Sequence, residues 1–191
     1  MARRLLSRCG QWVFAMAAAL LFAGCATLPD EAPRLPTKAM AASADTALGK
    51  IALASQPDPD LSGFRLMPGG DFAFDTRLQL ARRAQRTLDV QYYQIENDET
   101  GRYLLRTLRD AAQRGVRVRL LMDDLYTAGE DELLLALAAT PNLELRLFNP
   151  FPAGRGSMLR RLSASLFDFS RVNRRMHNKL FIADGAMAVA G

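Results

Sequence analysis

Donors for a metal site are scarce in this sequence. Its 191 residues contain a single histidine, His177, and two cysteines, Cys9 and Cys25, both near the N-terminus. A transition-metal site needs several nitrogen or sulfur donors converging on one point, so neither a metal nor any other cofactor is expected. Also missing is an apolar run long enough to span a bilayer. The N-terminal apolar stretch 12–23 is well short of the roughly 20 residues a membrane helix needs. The basic excess is small once its position is considered. Arg3, Arg4 and Arg8 lie in the first 24 residues, which carry no acid, and the remainder holds 22 basic against 20 acidic residues, net +2. That near-balance gives little support to a general nucleic-acid footprint; nucleic acid is not an expected partner, and any anionic ligand must be held locally. No internal repeat is visible. The length allows one domain with a real core.

What the N-terminus does contain reads as a targeting segment. A basic start is followed by an apolar stretch of signal-peptide length, then by Leu20-Leu21-Phe22-Ala23-Gly24-Cys25. Small residues leading into a cysteine resemble the lipobox of bacterial lipoproteins, with Phe22 where that box prefers leucine. The resemblance implies cleavage of residues 1–24, lipidation of Cys25 as the mature N-terminus, and anchoring in the cell envelope facing the periplasm. Ala26 after the cysteine, rather than aspartate, favours the outer membrane. Cys9 then leaves with the signal and Cys25 is consumed by lipid, so no pair remains for a disulfide. An uncleaved N-terminal anchor is the plainer alternative. Residues 25–62 read as an Ala/Pro-rich tether. Pro29, Pro33, Pro36, Pro57 and Pro59 argue against a continuous helix, although 39–54 can form a short one.

Residues 63–191 form the expected folded lobe. Asp71 or Asp75 can cap a helix running to about Arg86, with Phe74, Leu78 and Ala81 on one face. Residues 87–95 read as a strand, rich in β-branched and aromatic side chains. A helix over 101–114 buries Leu104, Leu108, Ala111 and Ala112 and ends at Gly115. A strand over 116–122 closes on Asp123-Asp124, a polar strand end. Acids at 130–132 suit the start of a helix running to about Ala139, and 143–148 is a further strand. Strands alternating with helices predict an α/β fold with a mixed, largely parallel sheet flanked by helices. In 151–175, Met158, Leu159, Leu162, Leu166 and Phe169 recur at helical spacing beside Arg155, Arg160 and Arg161. This is either a surface helix packed on the core or a basic amphipathic helix that meets a lipid tail and an acidic headgroup.

The chemistry concentrates in Arg174-Arg175-Met176-His177-Asn178-Lys179-Leu180-Phe181-Ile182-Ala183-Asp184-Gly185, which reads His-x-Lys-x-x-x-x-Asp. On an extended strand His177 and Lys179 project from one face. A neutral imidazole can serve as nucleophile or base, while a neighbouring ammonium offsets charge on phosphoryl oxygens. The pair therefore suits attack on a phosphate ester. Arg174 and Arg175 can add phosphate attraction. Asp184 can orient the imidazole or a backbone group, or simply form the turn with Gly185.

At these residues the sequence resembles the phospholipase D superfamily, most closely the bacterial lipoprotein branch related to cardiolipin synthase. Leu88-Asp89-Val90-Gln91-Tyr92-Tyr93 and Gly115-Val116-Arg117-Val118-Arg119-Leu120-Leu121-Met122-Asp123-Asp124 carry the same resemblance. It implies a phospholipase D-like lobe performing a two-step phosphodiester exchange through a phosphohistidine. His177, Lys179 and Asp184 then take the motif positions, Lys179 holding the phosphate with help from Arg175, and no metal is involved. Implied partners are phospholipids such as phosphatidylglycerol and the membrane reached through Cys25. The family site uses two such motifs and this chain has one, so it is expected to be an incomplete N-terminal half, inactive alone. A second half in a longer chain, or a second copy in a homodimer, would complete it. Competing readings are a homodimeric single-motif phosphodiesterase or nuclease, and an inactive phospholipid-binding lipoprotein.

Overall fold

Runs rich in Val, Leu and aromatic residues supply the strands at the centre of the fold. The structure is a computed structural model that describes residues 36–58, 60–164 and 168–191. The described residues all lie within one compact unit, Ala32–Gly191. The expected signal segment 1–24, the lipidation position Cys25 and Leu166 lie outside the described residues.

Strands β1 (Thr87–Tyr92), β2 (Arg117–Asp123) and β3 (Leu143–Phe148) lie side by side in parallel, with Leu88 opposite Val118 and Val118 opposite Leu143. Strand β4 (Lys179–Ala183) pairs antiparallel with the other edge of β1, and β5 (Met187–Ala190) pairs antiparallel with β4. The order is β3-β2-β1-β4-β5. Among the described residues four of the five strands thus share a direction and β4 alone opposes them, which is the expected mixed, largely parallel sheet.

The described helices are α1 (Ala47–Ser55), α2 (Gly70–Arg83), α3 (Glu99–Gln113), α4 (Asp131–Ala138), α5 (Met158–Ala164) and α6 (Phe169–Val172), with a 3₁₀ turn at Asp124–Tyr126. Period-2 alternation gives the sheet one apolar face. Leu88, Val90, Val118, Leu120 and Phe181 on that face share a buried core with Leu78 and Ala81 of α2 and with Leu104, Leu108 and Ala111 of α3. Each fully buried leucine contributes on the order of 2 kcal/mol. The opposite face is polar, with Arg119 paired to Asp89 and Arg146 to Glu144.

Local chemistry explains where the elements begin and end. The carboxylate of Asp98 accepts the Gly101 N–H at 2.7 Å and starts α3, slightly earlier than its apolar stripe suggests. Gly115, at φ 94°, ends that helix at the expected place. Helix α2 differs from expectation at both ends. Gly69 precedes it without a side-chain cap, and Asp71 stands in its first turn rather than capping it. It stops at Arg83 instead of Arg86 because the N–H groups of Gln85, Arg86 and Thr87 are bound by Asp184. Strand β1 stops at Tyr92 rather than Ile95.

The expected tether 25–62 is not a free spacer over its later part. Thr46 caps α1 through the Gly49 N–H at 3.0 Å, and Leu48, 2% exposed, joins the core. Ahead of it, Arg117 and Arg119 donate to the carbonyls of Lys38 and Thr37. The backbone of Met40 lies against Gly185, where a Cβ would come within 2.0 Å of the Met40 carbonyl oxygen. Glycine at 185 is what allows this approach.

Candidate active site

The direction of β4 decides what the motif can bring together. Because β4 opposes β1, its first residue, Lys179, stands beside Tyr92 at the carboxyl end of β1, and its last, Ala183, beside Leu88 at the amino end. His177 therefore lies just beyond the carboxyl ends of the parallel strands, the side on which open α/β sheets form their clefts.

There the Nζ of Lys179 lies 3.4 Å from the Nδ1 of His177. The contact brings the amine and the imidazole close enough for one phosphoryl group to touch both. The His177 ring also packs on Tyr93, with ring centroids 4.5 Å apart, and Tyr93 in turn meets the Tyr126 ring edge-on at 5.3 Å. The hydrogen bond to Tyr126 is the main cause that raises the Tyr93 hydroxyl above its ordinary pKa, so Tyr93 stays protonated through the neutral range. The segment around the histidine is tied to β1. The Tyr93 N–H donates to the Asn178 carbonyl at 3.0 Å, and the Asn178 amide donates to Gln91 Oε1 at 2.7 Å.

Asp184 sits at the far end of the strand. Seven residues from His177 at about 3.3 Å each put it on the order of 20 Å away. It is fully buried at φ 51°, and its carboxylate accepts the N–H groups of Gln85 (3.0 Å), Arg86 (2.8 Å) and Thr87 (3.0 Å). Its own N–H donates to the Thr87 carbonyl. Of the two tasks open to it, orienting the imidazole or orienting backbone, the structure shows the second. It fixes the junction of α2 with β1.

Arg175, expected to help hold phosphate, turns inward. Its Nε donates to the Val172 carbonyl at 2.6 Å, and its Nη1 to Asp123 Oδ1 at 3.0 Å and to the Asn149 carbonyl at 3.2 Å. The guanidinium lies over the Phe151 ring, 4.8 Å from its centroid. Arg174 is exposed.

Two residues set aside in the sequence as a polar strand end prove central to the architecture. Asp123 binds the Met176 N–H at 2.8 Å together with Arg175. Asp124, completely buried, accepts from the Phe151 N–H at 2.7 Å, from Arg155 at 3.1 Å and from the Thr127 hydroxyl, while Arg161 lies 3.5 Å away. Burial lowers the Arg161 pKa, and Asp124 opposes that shift. Arg155 also bonds Asp131 at 2.8 Å. The α5 segment thus contradicts the simple amphipathic pattern. Arg161 is buried by its ion pair, whereas Leu159 and Leu162 are 78% and 50% exposed. No group of three or more His, Cys, Asp and Glu side chains among the described residues is arranged to hold a metal ion. No helix among them is long and apolar enough to cross a membrane.

Residues 78–191 match the family model described as "Cardiolipin synthase, PLD-like domain". The chain belongs to that phospholipase D-like family. It is 50% identical to cardiolipin synthase C of Escherichia coli over 119 residues, 62% of this chain and 24% of that protein. It is 30% identical to a cardiolipin synthase of Staphylococcus aureus over 129 residues, 66% of this chain and 23% of that protein. Among solved structures, NucT from Helicobacter pylori superimposes with a TM-score of 0.40 at 17% identity, over 59% of this chain and 60% of that one. The chain spans about a quarter of the length of these curated relatives. Within the cardiolipin synthase family, the pairing of His177 with Lys179 is the feature of this lobe that bears most directly on chemistry.

Proposed function

We propose that this lobe contributes the attacking half of a phosphatidyltransferase or phosphodiesterase that acts on phospholipids. The observation that carries the reading is the 3.4 Å approach of Lys179 Nζ to the His177 ring at the open end of the sheet. It is supported by the 50% identity to cardiolipin synthase C. One phosphoryl group can touch both side chains. His177 attacks the phosphorus of a phospholipid, a P–N bond forms, and the P–O bond to the departing alcohol breaks as that oxygen takes up a proton. An acceptor alcohol such as the headgroup of phosphatidylglycerol, or water, then attacks the same phosphorus and releases the imidazole. Lys179 stabilises the phosphoryl oxygens at both stages. The proton donor comes from a second motif, supplied by a further lobe of a longer chain or by a second copy. The compartment follows from the N-terminal segment: cleavage before Cys25 and lipidation there would hold the enzyme on the periplasmic face of the outer membrane.

The test is conversion of labelled phosphatidylglycerol in mixed vesicles by the lobe joined to, or assembled with, a second motif. Labelled cardiolipin and glycerol should form, and His177→Asn should abolish both. Turnover that persists in His177→Asn, or cleavage of nucleic acid in place of lipid, would overturn the assignment.

A further inference from the structure

We propose that Asp123 is a positioning residue for His177, holding the imidazole through two separate limbs that start from one carboxylate. Asp123 ends β2 and is 1% exposed. Its Oδ2 accepts the Met176 N–H at 2.8 Å. Its Oδ1 accepts from Arg175 Nη1 at 3.0 Å and from the Leu125 N–H at 2.8 Å.

The first limb is the backbone. Met176 immediately precedes His177, and its side chain is itself buried at 8% exposure. Asn178 immediately follows, and its carbonyl accepts the Tyr93 N–H. His177 is therefore held between a residue tied to the end of β2 and a residue tied to the end of β1. Release of the Met176 N–H frees one side of that span. The second limb is aromatic. The Asp123–Leu125 hydrogen bond caps the 3₁₀ turn Asp124–Tyr126. That turn sets Tyr126 edge-on to Tyr93, and Tyr93 packs on His177. The Tyr126 edge on Tyr93, and the tilted packing of Tyr93 on His177, restrain an exposed imidazole. The buried carboxylate serves three donors, two from the distant 175–176 segment and one from its own turn, so losing it leaves both limbs slack.

The catalytic consequence rests on the reading of His177 as nucleophile; the geometric one does not. Because this chain has one histidine, its imidazole gives one set of NMR signals in an untagged sample held in detergent. The wild type should show a nuclear Overhauser contact between the His177 and Tyr93 rings and a Met176 amide as protected from exchange as those of β1 and β2. In Asp123→Asn the ring contact and the Met176 protection should fall while the strand amides keep their shifts. Asp184→Asn, a buried change at the far end of β4, should leave both signals in place. Should Asp123→Asn fail to fold, Tyr126→Leu tests the aromatic limb alone: the ring contact weakens and Met176 stays protected. No His177–Tyr93 contact in the wild type, or equal effects of Asp123→Asn and Asp184→Asn on it, would overturn the proposal. In the lipid assay with a second motif present, Asp123→Asn should lower kcat by about 10²-fold, the cost of a misplacement near 1 Å, with little change in KM. A displaced imidazole with unchanged kcat would refute the nucleophile assignment and leave the positioning role intact.

Discussion

Replacing Asp184 with alanine should cost stability on a scale that can be worked out from its hydrogen bonds. The carboxylate serves three backbone N–H groups, of which that of Thr87 is buried and those of Gln85 and Arg86 are partly so. A buried N–H that loses a charged acceptor costs about 2 kcal/mol, and each partly buried one, which water can reach, about 1 kcal/mol. Alanine at φ 51° adds about 1 kcal/mol of left-handed strain. The expected loss is about 5 kcal/mol, a large share of the 5–15 kcal/mol typical of a domain. With a urea slope near 2 kcal/mol/M, the unfolding midpoint should fall by about 2.5 M. Asparagine keeps one acceptor oxygen and tolerates this φ, so Asp184→Asn should lose roughly half as much. Urea titrations followed by far-UV circular dichroism provide the measurement. A loss below about 1 kcal/mol for Asp184→Ala would refute the claim that this residue fixes the junction of α2 with β1.

Further outcomes concern the cap, the lipid contact and the anchor. The Gly101 N–H, with help from the Thr100 hydroxyl, holds the Asp98 carboxyl below its usual range. The cap therefore stabilises above the ordinary aspartate pKa and is lost as pH falls through the lowered one; Asp98→Ala should reduce the thermal midpoint at pH 7, with the gap to wild type closing below about pH 4. Leu159 and Leu162 are exposed on α5, and changing both to serine should weaken sedimentation with anionic vesicles without loss of folding; unchanged binding would remove the lipid role from this helix. Cys25→Ser should abolish incorporation of labelled fatty acid and move the protein from the membrane to the soluble periplasmic fraction, whereas retention in the membrane would favour an uncleaved anchor.

Much of the fold is legible in the sequence because its signals are local. The stripe Leu104, Leu108, Ala111 and Ala112 places α3, and the alternating runs place β1 to β3 within a few residues. The closeness of His177 to Lys179 is legible from their spacing of two residues in an extended segment, although β4 itself begins only at Lys179. The surprises come from interactions between residues far apart in the chain. Asp123 and Asp124 read as a polar strand end because their partners, Met176, Arg175, Phe151 and Arg161, lie 27 to 53 positions away. Arg161 illustrates the same point, since helical periodicity turns it outward and only its pairing with Asp124 accounts for burial. Asp184 stands in the motif with His177 in sequence, yet the extended strand between them places the two at opposite ends of β4.

Trapping a covalent adduct would establish whether His177 carries the phosphoryl group. The lobe, combined with a second motif, would be mixed with phosphatidylglycerol, quenched at alkaline pH within a turnover and digested for mass spectrometry. A phosphatidyl adduct is expected on the peptide containing His177, absent from His177→Asn and diminished in Lys179→Ala. Steady lipid turnover with no adduct on that peptide would contradict it.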